Sequence, residues 1–133
     1  MADNISLEES FEYSLRNFLE WLEVMKMEPV KLCDTWGNYN VAWELVDDLN
    51  RDGEAIIGAS CSYLNEEQKQ EVRGFLSSLK NIPKSVLVSA TSAEENQEAM
   101  SNPCWGPYKQ AAAVLLQRLE PVAIQNRAYF DSL

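Results

Sequence analysis

The chain of 133 residues contains no histidine. That removes the imidazole general base, the Ser–His and Cys–His nucleophile pairs, and any metal site built on His. Cysteine is scarce and odd in number: Cys33, Cys61 and Cys104 lie far apart and match neither a zinc spacing nor a CxxC redox pair, so they read as buried free thiols. The five glycines (Gly37, Gly53, Gly58, Gly74, Gly106) stand singly, which excludes a Gly-rich phosphate cradle, and no GxGxxG, P-loop or GxSxG motif is present. No apolar run is long enough to span a bilayer. Met1 to Glu12 is acidic and lacks the charged-then-apolar pattern of a secretory leader, so the expectation is a cytoplasmic protein. Basic residues are few, 11 Lys or Arg against 21 Asp or Glu. A pI near 4.4 argues against direct contact with nucleic acid or with anionic membrane surfaces, both of which repel carboxylates.

What is present is acid, unevenly placed. Residues 1–33 carry seven acids against three bases, residues 34–54 six acids against Arg51 alone, and residues 55–133 eight acids against seven bases. Nine of the ten net negative charges therefore precede Ala55. Folding does not require such a bias, because like charges repel one another in a compact state. A solvated acidic face is the bland explanation, and a docking face for a basic partner is the specific one.

The length fits one domain, and four Trp, five Tyr and four Phe supply a core. Leu7, Phe11, Leu15, Phe18, Leu22 and Met25 recur at helical spacing behind a Ser6–Glu9 capping box, and Pro29 ends that helix near Met27. A second helix, capped by Asn38 or Asn40, carries Val41, Ala42, Leu45, Val46 and Leu49, and Asn50 to Gly53 reads as its stop. Asp47 and Asp48 near that end would oppose the helix dipole by about 0.3–1 kcal/mol each, which points to a role other than folding. Ala55–Cys61 reads as a short buried helix or a strand, with helix favoured because no partner strand is evident. Asn65–Gln68 and Ser92–Glu95 are two further capping signatures, and Ser85–Ser89 reads as a lone strand candidate or, preferably, a helical turn. Pro107 opens a last strong helix that Pro121 ends, leaving residues 122–133 as a short tail. The fold class expected is all-α, a single compact domain (1–133) of five to seven helices.

Asp34-Thr35-Trp36-Gly37-Asn38-Tyr39-Asn40 places two aromatics, amides and a carboxylate on a connection. Either Trp36 and Tyr39 make contacts there or they tuck into the core beside Trp43. Trp105 and Tyr108, between two prolines, pose the same choice. Asp47, Asp48, Asp52 and Glu54 resemble a calcium loop only superficially, since the glycine and final glutamate of the EF-hand spacing are missing. Adjacent Asp47 and Asp48 point about 100° apart on a helix and make no catalytic pair. No cofactor, metal site or enzymatic activity is expected.

Ala93-Glu94-Glu95-Asn96 through Met100, Asn102-Pro103-Cys104-Trp105 and the Ala111–Leu116 helix, together with the small, acidic, His-free profile, resemble the immunity proteins of contact-dependent growth inhibition and related bacterial toxin systems. The resemblance carries over no functional residue by position. It implies a stoichiometric inhibitor of a cognate toxin domain, often a basic nuclease, whose substrate groove an acidic face would cover. Residues 34–54 are then the expected contact, with Asp34, Trp36, Tyr39, Asp47, Asp48, Asp52 and Glu54 as partner-binding residues, aromatics as anchors and carboxylates in place of phosphates. Two other classes remain open. A nucleic-acid mimic that blocks a defence complex would spread its acids more widely, and a secretion chaperone or adaptor would need an exposed apolar groove.

Overall fold

The computed structural model describes residues 7–28, 40–59, 63–88 and 92–131. The described residues are all-α: six α-helices, two 3-10 turns and no strand. The helices are α1 (Leu7–Met25), α2 (Val41–Gly58), α3 (Glu66–Ser78), α4 (Lys84–Val88), α5 (Ala93–Met100) and α6 (Gly106–Asp131). The 3-10 turns, Leu79–Asn81 and Pro103–Trp105, lead out of α3 and into α6.

Helix α1 is the hub, packed on α2 along one side and α6 along another. Its residues Phe11, Leu15, Phe18, Leu22 and Met25, spaced by four, three, four and three, are all buried. Val41, Ala42, Leu45, Leu49 and Ile56 of α2 and Ala112, Leu115, Leu119 and Val122 of α6 complete the same core. The Ser85–Val88 stretch is helical, as preferred over a strand, and buries Val86.

Amide side chains fix the helix entries. Asn40 Oδ1 accepts the Trp43 N–H at 3.1 Å, while its Nδ2 donates to the Leu87 carbonyl at 2.6 Å, so one residue caps α2 and ties it to α4. Asn65 and Gln68 form a reciprocal capping box at α3, and Ser92 Oγ accepts the Glu95 N–H at α5. Asn96, 1% exposed, accepts the Val41 N–H and donates to the Ser92 carbonyl. A buried amide satisfied on both sides in this way joins α5 to the start of α2.

Two expected helix ends are not ends. Helix α2 runs through the Asn50–Gly53 stop signal to Gly58, absorbing the first part of the ambiguous Ala55–Cys61 stretch. An internal glycine costs about 0.5–1 kcal/mol relative to alanine. Burial of Ile56 and Ile57, about 1.5–3 kcal/mol each, outweighs it. Asp47 and Asp48 therefore lie mid-helix, and the dipole argument drawn from their position does not apply.

Likewise α6 continues past Pro121 to Asp131. An interior proline costs about 3 kcal/mol and removes one hydrogen bond. Leu119 and Val122, buried on either side of Pro121, hold the helix on the core. The Ser6 cap, the Trp36–Asn38 turn, Cys33 and Cys61 lie outside the described residues.

Candidate protein-binding surfaces

The expected contact residues divide three ways. Asp34, Trp36 and Tyr39 lie outside the described residues. Asp47 and Glu54 are seven positions apart on α2, two helical turns, and both are exposed on one strip. Trp43, four residues before Asp47, sits on that strip and is 45% exposed, so it is not the core residue that the alternative reading of Trp36 and Tyr39 requires. Asp48 and Asp52, four apart, share a different strip, at 9% and 5% exposure.

Arg51 takes up that second pair. Its Nη2 lies 3.0 Å from Asp48 Oδ1, and its Nε lies 3.6 Å from Asp52 Oδ1. Asp52 Oδ2 is buried with no hydrogen-bond partner among the described residues. Burial pushes the Asp48 carboxyl above the usual carboxylate range; Arg51 pulls it down, and Asp47 and Asp52 add to the upward push. Burial also raises Asp52, against the charge and hydrogen bond of Arg51. The predicted acidic contact thus separates into an internal carboxylate pair held by Arg51 and an outward strip of Trp43, Asp47 and Glu54.

The second aromatic group is structural. Trp105 is fully buried, and its Nε1–H donates to the Ala99 carbonyl at 2.8 Å. The Tyr108 hydroxyl donates to the Ser78 carbonyl at 3.0 Å, and the two rings meet edge to face. Cys104 is a half-buried free thiol whose pKa burial raises, which weakens it as a nucleophile.

A further surface was not anticipated: a groove of about 1360 Å³ between α1 and α6. Glu9, Glu12, Glu20, Glu23, Glu120 and Asp131 line it against Arg16, Lys26 and Arg127, a net charge of −3. Its floor is apolar, with Leu19, Val24, Leu116 and Ala123 packed on the core but only partly covered. The α1 wall had a readable signal, since Glu9, Tyr13, Arg16, Glu20 and Glu23 form a second stripe spaced by four, three, four and three. Tyr13, 65% exposed, is an aromatic in that otherwise charged stripe.

Among the described residues no group of His, Cys, Asp or Glu could hold a metal ion, and no helix is long and apolar enough to cross a membrane. No family profile, curated protein or solved structure matches the chain.

Proposed function

We propose that this chain is a cytoplasmic immunity-type inhibitor without catalytic activity. It binds a cognate basic toxin domain, of nuclease class, and covers that domain's substrate site with carboxylates. The observation that carries the reading is the charge map: nine of ten net negative charges precede Ala55, and Asp47 and Glu54 of that region face outward beside the exposed Trp43. Clustered carboxylates steer a basic partner and take the place of its phosphate ligands, while an exposed tryptophan supplies an anchor of large apolar area. The near-neutral stretch 55–133 counts against a mimic that spreads acids over its whole surface.

The test is inhibition. A basic nuclease domain encoded beside this chain is purified and titrated with it. The reading expects loss of nuclease activity, complete at one equivalent, and rescue of growth in cells making both proteins. Undiminished nuclease activity and no complex at low salt would refute it.

A further inference from the structure

We propose that the α1–α6 groove is a docking site for a basic amphipathic helix of the partner. The inference rests on the reading that the partner is basic, and adds where and in what form it is held. The α1 wall runs from Glu9 to Val24, which at 1.5 Å per residue is about 22 Å, the length of a helix of some four turns. The floor of Leu19, Val24, Leu116 and Ala123 matches an apolar stripe. The walls match Lys or Arg flanking that stripe, the helix-in-groove arrangement.

The groove is also rich in hydrogen-bond acceptors. Arg16 pairs with Glu12 and Lys26 with Glu23, so those four charges cancel and the net −3 is that of Glu9, Glu20, Glu120 and Asp131 against Arg127. Net negative charge on the walls favours a positively charged occupant, and lysine and arginine are the side chains that bring donors and positive charge together. Charge also decides between occupants. A second copy of this chain would bring ten negative charges to a wall of net −3, and an anionic membrane or nucleic acid would be repelled in the same way.

The probe is a fluorescein-labelled peptide of about 18 residues of Leu and Lys, patterned as an amphipathic helix. A second peptide of the same composition has its leucines scattered around the helix. Binding to the full chain is read by anisotropy for the parent, for Glu20→Lys with Glu120→Lys, for Leu116→Ala, and for Asp47→Lys with Glu54→Lys. The groove site predicts that the scattered peptide binds at least about tenfold more weakly. It also predicts about a tenfold loss for the Glu20/Glu120 variant and a smaller loss for Leu116→Ala. The Asp47/Glu54 variant, with the same change in charge, should change affinity less than about threefold. Circular dichroism confirms that each variant folds. Equal binding of both peptides, or equal losses from the two charge reversals, would overturn the proposal as mere attraction to an acidic protein. The same variants against the toxin domain separate the two readings. A complex weakened by the Asp47/Glu54 reversal and indifferent to the Glu20/Glu120 reversal refutes the groove and leaves the inhibitor reading standing. Absence of any complex with the parent refutes the inhibitor reading.

Discussion

The backbone N–H of Val41 donates to Asn96 Oδ1 across 3.0 Å, and both residues are buried. The first N–H of a helix has no partner within its own helix, so α2 borrows one from α5. Asn96→Ala leaves that donor buried and unpaired, while the Ser92 carbonyl loses the side-chain donor but keeps the backbone N–H of residue 96. The expected cost is about 1–3 kcal/mol, seen as a melting temperature lower by several degrees. A melt unchanged within a degree would show that the contact contributes nothing net.

Gly53 and Gly74 should respond to alanine with opposite signs. A Cβ at Gly53 would lie 2.8 and 2.9 Å from the Leu76 methyl carbons and 3.1 Å from Phe18 Cε1. Leu76 and Phe18 are buried and cannot swing away, so overpacking of about 1–3 kcal/mol exceeds the gain in helix propensity, about 0.5–1 kcal/mol. At Gly74, interior to α3, a Cβ meets nothing within 4 Å, and only the propensity gain remains. Denaturant titration should find Gly53→Ala destabilised and Gly74→Ala stabilised. A stabilised Gly53→Ala would contradict the close approach of α1, α2 and α3 there.

How far the fold can be read from sequence depends on the range of the interactions that decide it. The α1 stripe and the caps at Asn65 and Ser92 are written within a few residues and were legible, as was the α2 cap to within the choice of Asn38 or Asn40. Whether Gly53 and Pro121 end a helix is decided by the burial of Ile56, Ile57, Leu119 and Val122 against other helices, which no local pattern records. Asn96 finds its acceptor role 55 positions away, at Val41. The acidic excess before Ala55 was legible, but the inward turn of Asp48 and Asp52 was not. The groove was hidden for the same reason, because its walls are about a hundred positions apart in the chain and only folding sets them side by side.

The Asp48–Asp52 pair gives stability a pH dependence of definite sign. Burial raises both carboxyls in the folded state, so between the unfolded and folded pKa values the folded chain binds more protons. Stability contributed by the pair is therefore lost as pH rises through that window and regained as pH falls. Asp52→Asn removes a buried charge with an unpartnered oxygen, and Arg51, largely exposed, remains solvated without it. The variant should be more stable than the parent at pH 7, with an advantage that shrinks as pH falls toward the acid range. Melts of the two proteins across pH check this, and an advantage that grows toward acid would reverse the assignment.

Trp43 is exposed enough to be removed without loss of the core. If it anchors the partner, Trp43→Ala should leave the melt within a few degrees of the parent and raise the dissociation rate about tenfold or more, with little change in association. Surface plasmon resonance against the toxin domain reads both rates. An unchanged dissociation rate would remove Trp43 from the contact.

The most direct test of the inhibitor account is the association rate of the chain with the isolated toxin domain, followed by stopped flow over a range of salt concentrations. For the parent, the account predicts fast association that falls steeply with salt. For Asp47→Lys with Glu54→Lys it predicts association about tenfold slower, a flatter salt dependence and unchanged helix content. An association rate and salt dependence indifferent to the double reversal would mean that the outward carboxylates of α2 only face solvent, and would contradict the account.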